Sequence, residues 1–178
     1  MAHVNIEFKA RCDIAKAMKI RDRLKEMDAE FKGVDNQRDV YFDVKNGRLK
    51  LRKGDIENHL IYYQRDDESG PKQADVILFA TQQGSSLEDI LTKSLGIKVV
   101  VEKRREIYFI DNVKFHLDWV SGLGSFMEVE VIDKEGKIGV DKLRQQCNRY
   151  LEMFDIKPCD LVSKSYSDLL LEKQPFRH

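Results

Sequence analysis

Net charge is the first thing this chain lacks. Its 178 residues carry 31 Lys and Arg against 31 Asp and Glu, so the molecule as a whole offers no electrostatic case for nucleic acid or for an anionic membrane. No apolar run reaches membrane-spanning length. The opening MAHVNIEF has neither the basic start nor the apolar block of a signal peptide. Cysteine is scarce. Cys12, Cys147 and Cys159 are odd in number and form no CxxC, which reads as reduced thiols in a cytoplasmic protein rather than a disulfide frame or zinc site. His3, His59 and His178 have no metal spacing, and no Ser-His-Asp or Cys-His set can be assembled. There is no internal repeat. The length suits one domain, residues 1–178, able to bury a core without staples.

What the chain has is alternation. In HVNIEFKAR, Asn5, Glu7 and Lys9 point one way, and Val4, Ile6, Phe8 and Ala10 the other, the signal of a half-buried strand. Period two returns in Asp39–Asp43, Arg48–Arg52, Leu60–Arg65, Val76–Ala80, Val99–Ile110, Val113–Val120 and Phe126–Ile132. Asn46-Gly47 is a hairpin signal because both residues tolerate positive φ. Residues 66–75 read as an exposed loop, and SGLGS, between two strands with no helix after it, as a turn rather than a phosphate loop.

Helical spacing predicts a helix capped by Asp13 and ended by Gly33, with Ile20, Leu24, Met27 and Phe31 inward. A second helix follows Ser85-Ser86, with Ser86 and Asp89 spaced like a capping box and Gly96 as its stop. A third spans Val140 to Phe154, and Tyr166 to Leu171 suggests a short terminal one.

The polar strand faces are sorted by sign. Arg48/Lys50/Arg52, Arg65 and Lys103/Arg105 are cationic, Glu128/Glu130 is acidic, and Lys114/His116/Asp118 is mixed. The alternate faces, including Phe115/Leu117/Trp119 and Met127/Val129/Val131, are apolar, and Trp119 reads as core. Same-face residues lie roughly 6–7 Å apart along a strand and strands about 4.8 Å apart. Many cations and several carboxylates therefore come within reach of one ligand if the sheet curls. A charged interior reverses the usual small barrel. Clustered cations call for a polyanion such as a phosphate chain, and the carboxylates for hard divalent ions. His116 suits phosphate contact or proton transfer as well as an incidental place.

These stretches resemble the CYTH superfamily, the triphosphate tunnel metalloenzymes, which include class IV adenylyl cyclases, thiamine triphosphatases and inorganic triphosphatases. NIEFK at residues 5–9 is similar to the ExExK signature. DVYFD, GRLKLR, LIYYQR, EKRREIYF, FHLDWVSGLGSFMEVEV and KSYSDLL follow in the expected order over nearly the whole chain. The nearest likeness is to the bacterial class IV adenylyl-cyclase-like branch. The resemblance implies an α+β fold: a closed antiparallel β-barrel, the triphosphate tunnel, with flanking helices. It implies binding of a nucleotide or other triphosphate with Mg²⁺ or Mn²⁺.

Carried over by position, Lys9, Arg52, Arg65, Lys103 and Arg105 would hold the phosphates, with Lys50 and Arg48 as companions. Glu7, Glu128 and Glu130 would hold metal, with Asp118 nearby as metal ligand, water ligand or base. Lys9, Arg105 and Asp118 are the catalytic expectation. Lys164 would reach one tunnel mouth, or is a surface lysine. Asn5 stands where the signature has its first glutamate. Its amide oxygen can join a metal site but brings no charge, which puts a two-metal site in doubt. The reaction implied is conversion of ATP to cyclic AMP and pyrophosphate, or hydrolysis of a triphosphate. The alternatives are a non-catalytic nucleotide or polyphosphate binder, and a polar barrel with another ligand. Dimers occur among similar proteins, so a homodimer is an expectation.

Overall fold

The computed structural model describes residues 2–65 and 67–174. Asp66 and His178, which figured in the expected loop and the histidine count, lie outside the described residues. Eight strands form the barrel: β1 (Ala2–Arg11), β2 (Glu30–Phe42), β3 (Arg48–Lys53), β4 (Asn58–Arg65), β5 (Lys72–Ala80), β6 (Ile97–Ile110), β7 (Val113–Val120) and β8 (Gly124–Asp133). All pairings are antiparallel, in the closed order β1-β5-β4-β3-β2-β6-β7-β8. The helices are α1 (Ile14–Glu26), α2 (Leu87–Leu95), α3 (Val140–Met153) and α4 (Tyr166–Lys173).

The barrel is inside out, as the sorted faces require. Ile6, Phe8, Phe115, Leu117, Met127, Val129 and Val131 point outward and are buried under Ile20 and Leu24 of α1 and Leu143, Cys147 and Tyr150 of α3. Leu87 and Leu91 of α2 cover Val40, Phe42 and Leu51. Because the helices take the apolar faces, the polar faces are left to line the lumen.

Asp13 caps α1 as expected, accepting from the Lys16 N–H at 2.7 Å. The helix stops earlier than the periodicity predicts. Asp28 adopts φ 54°, the Ala29 N–H turns back to the Leu24 carbonyl, and β2 begins at Glu30. Gly33 is not the terminator. It sits at φ 125° where the β2–β6 register shifts, and Phe31 is 53% exposed, against Tyr108. Only the second half of β2 matches the expected strand from Asp39, because Asp35 and Gln37 point inward while Asn36 and Arg38 face outward, leaving the first half without apolar alternation.

β5 starts at Lys72, inside the expected loop, for the same reason. At the β2–β3 turn only Gly47 has positive φ, and a Cβ there would meet the Tyr62 ring at 2.7–2.8 Å. Ser86 makes no side-chain cap on α2, whereas Gly96 ends it at φ 78°. Trp119 is not core. It is 57% exposed, because helical cover on the β7 outer face reaches Phe115 and Leu117 but stops short of it.

Candidate functional site in the barrel lumen

The lumen is a cavity of about 280 Å³. Ten expected site residues line it: Asn5, Glu7 and Lys9 from β1, Lys50 and Arg52 from β3, Arg65 from β4, Lys103 and Arg105 from β6, and Glu128 and Glu130 from β8. Pairing explains the convergence, since Glu7 lies opposite Glu130 and Lys9 opposite Glu128. Lys114 and Lys134 bring the lining to eight Lys or Arg. Glu57 brings it to four Glu, so cation is in excess.

Three expected residues do not line the cavity. Asp118 shares the inward face with Arg105 but is buried and does not line the open cavity, both oxygens taken by Arg105 at 2.7 and 2.6 Å and one also by the Tyr166 hydroxyl at 2.7 Å. That geometry aims Arg105 and leaves no oxygen of Asp118 without a donor. The Lys164 side chain lies outside, paired with Glu172, while its backbone carbonyl accepts from Lys9 Nζ at 3.5 Å. Arg48 faces Asp168 and Asp67 rather than the lumen.

The charges are held in hubs. Asp39, 1% exposed on β2, accepts both arms of Arg52 at 2.9 Å, Lys103 at 2.7 Å and pairs with Lys50 at 3.1 Å. Burial pushes its carboxyl up, but the three cations outweigh burial and hold it well below the usual range. Burial, helped by Arg52 and Arg105 against Asp39, pushes the Lys103 amine down to about 7. Glu128 bridges Lys9 at 2.9 Å and Arg105 at 2.7 Å, and these cations hold its carboxyl low against burial. Burial and then Arg105 lower the His116 imidazole, leaving it neutral near pH 7. Glu57 joins Arg52 at 3.0 Å and Gln37 at 3.2 Å, and also pairs with Lys114 across the lumen. Like charges so clustered are tolerated because Asp39, Glu57 and Glu128 are each shared between cations.

Among the described residues, five buried polar side-chain atoms have no hydrogen-bond partner: Arg65 Nε and Nη2, Asn5 Oδ1, Gln37 Oε1 and His116 Nε2. Such orphans are costly, about 1–3 kcal/mol each, and mark places a ligand would fill. Two donors of Arg65 suit an anion, and the Asn5 oxygen suits a cation. The Glu130 carboxylate makes no hydrogen bond among the described residues and lies 3.8 Å from His116 Nδ1. Its carboxylate, that of Glu128 and the His116 imidazole bring ligand atoms within 4.8 Å of one another, so the donor set fits a divalent ion.

One end of the cavity is formed by Ser165 and Tyr166 at the start of α4, with Lys9 Nζ 4.2 Å from the Tyr166 ring centre. His3, His59 and Phe109 line the other end. Glu57 and Asp39 were not anticipated as site residues. Glu57 sits in a turn, where a charge ordinarily faces water, and Asp39 was legible only as part of a strand. Tyr63 also lines the lumen.

A closed barrel with a cation-rich, carboxylate-bearing lumen defines an enzyme that acts on a triphosphate. The chain matches the CYTH domain over residues 3–166 and belongs to that family. It is 26% identical over 177 residues to "Putative adenylate cyclase MJ0240" of Methanocaldococcus jannaschii, covering 93% of this chain and 98% of that one. The fold is that of the PH1012 protein of Pyrococcus horikoshii OT3, with a TM-score of 0.71, 24% identity and coverage of 93% and 98%. It is also that of a Vibrio parahaemolyticus protein described in the same words, "putative adenylate cyclase". There the TM-score is 0.72 at 17% identity, with coverage of 96% and 99%.

Proposed function

We propose that this protein cleaves a phosphoanhydride of a triphosphate held in the lumen, with Mg²⁺ or Mn²⁺. The observation that carries the reading is the pair of unpartnered, buried Arg65 donors beside a lining of eight cations and four glutamates. Lys9, Lys50, Arg52, Arg65, Lys103 and Arg105 neutralise the chain and stabilise charge that spreads over the phosphoryl oxygens in the transition state. Asp118 fixes the plane of Arg105 for that task. Glu7, Glu128 and Glu130, with the uncharged oxygen of Asn5, would hold the cation. A divalent ion there polarises a phosphoryl oxygen and offsets developing charge.

Two reactions fit the same clamp. In a cyclase the ribose 3′-hydroxyl attacks the α-phosphorus and pyrophosphate leaves. In a triphosphatase water attacks the terminal phosphorus. The name of the M. jannaschii relative favours the first. Asn5 favours a second reading, a triphosphate binder without turnover. Two free, buried thiols, Cys12 and Cys147, and the exposed Cys159 support a cytoplasmic setting. No helix among the described residues is long and apolar enough to cross a membrane.

Incubation with ATP, tripolyphosphate and thiamine triphosphate, with each metal, tests the reading by its products. Cyclic AMP with pyrophosphate selects the cyclase and orthophosphate the triphosphatase. Tight binding with no product selects the binder. Glu130→Gln should abolish metal-dependent turnover and Arg52→Ala should weaken triphosphate binding. Near-normal kinetics in both variants would sink the assignment.

A further inference from the structure

We propose that His116 Nδ1 is a direct ligand of the divalent cation, so that the lumen selects a transition ion, Mn²⁺, over Mg²⁺. This rests on the metal-dependent reading above and adds a nitrogen donor to it. His116 lies opposite Glu128 in the β7–β8 pairing. Its Nδ1 stands 3.3 Å from Glu128 Oε2 and 3.8 Å from Glu130 Oε1. Bonds of about 2.1 Å put adjacent donors of an octahedral ion about 3 Å apart and opposite donors about 4.2 Å apart. The three ligand atoms, all within 4.8 Å of one another, therefore frame an ion of that size.

The Asn5 side-chain oxygen is a second, independent sign. It is buried, lines the lumen beside Glu128 and Glu130, and has no hydrogen-bond partner among the described residues, while His116 is buried against the two glutamates. His116 Nε2 is also without a partner. A cation bound at Nδ1 replaces the proton that Nδ1 donates to Glu128 at 3.3 Å, and that proton moves to Nε2, which no other hydrogen bond engages among the described residues. Oxygen-only sites suit Mg²⁺, whereas an imidazole donor favours transition ions. Replacing a carboxylate by Asn5 lowers the charge of the site, which leaves more of the affinity to the nitrogen.

Glu128 is engaged by Lys9 and Arg105. A phosphate chain that draws these two cations away frees Glu128, so the cation and the chain should bind cooperatively. The experiment therefore uses Mn²⁺ with tripolyphosphate, frozen within seconds of mixing. Electron spin echo modulation should contain a ¹⁴N coupling from directly bound imidazole together with ³¹P couplings. Competition should favour Mn²⁺ over Mg²⁺ on the order of tenfold or more. His116→Asn should lose the nitrogen coupling and most of that preference, while His59→Asn keeps both. Phosphorus coupling without nitrogen coupling in the wild-type protein overturns this inference alone. Absence of both overturns the metal–triphosphate reading as well. The wild-type spectrum decides the matter even if the buried His116→Asn variant fails to fold.

Discussion

Arg105 and Asp118 lie opposite each other on adjacent strands and form a two-armed, buried ion pair, at 2.7 and 2.6 Å, on the inward face of the barrel. The pair turns an anion-binding side chain into a fixed one, since Asp118 holds Nε and Nη2 while Nη2 also reaches Glu128. Asp118, expected near the chemistry itself, is in this geometry a positioning residue.

Breaking that pair from one side leaves a buried guanidinium short of its partner. Asp118→Asn should cost about 3–5 kcal/mol in urea unfolding. Tyr166→Phe, which removes one hydrogen bond to the same carboxylate, should cost about 1 kcal/mol. Comparable losses in the two variants would remove the special standing of the pair.

Lys103 should make both stability and binding depend on pH. Its amine titrates at about 7 in the fold against 10.5 in the reference state. Between those values the unfolded chain holds the extra proton, so this group makes stability rise with pH through that window, by up to about 1.4 kcal/mol per pH unit. Below pH 7 the burial penalty is present in full. An anion in the lumen favours the charged amine, so tripolyphosphate binding at pH 8 should take up protons. Calorimetry in two buffers of different ionisation enthalpy measures the uptake, and Lys103→Met should reduce it.

Glu57 competes with any anion for Arg52 and Lys114. Removing its charge gives up that competition, so Glu57→Gln should tighten tripolyphosphate binding roughly fivefold, equivalent to about 1 kcal/mol. Weaker binding in this variant would assign Glu57 a supporting role for Arg52 instead.

Trp119→Ser should change stability by no more than about 0.5 kcal/mol, as expected of an exposed side chain. Phe115→Ala, on the same outer face but under α3, should cost about 3–5 kcal/mol. Denaturant melts of the two variants compare the covered and uncovered parts of β7 directly.

The strands whose two faces differ were legible in the residues alone. Ile6 and Phe8 against Glu7 and Lys9, or Val129 and Val131 against Glu128 and Glu130, announce which side needs a helix and which side needs a ligand. Ten lumen residues followed from that contrast together with the family likeness. β2 was legible only in its second half and β5 only from Val76, because alternation is visible only when one face is apolar, and the missing stretches carry polar residues on both.

Partners across the barrel belong to tertiary structure alone. Asp39 gathers Lys50, Arg52 and Lys103 from two other strands, and Glu57 crosses from a turn to Lys114. The β2–β3 hairpin sets Arg52 opposite Asp39, whereas the meetings with Lys103 and between Glu57 and Lys114 depend on how distant strands assemble. Tertiary packing also turned Lys164 outward and left Trp119 uncovered. The sequence determined which residues carry charge and which face of each strand they share. Folding decided which charges neutralise one another and which few polar atoms remain for a ligand to satisfy.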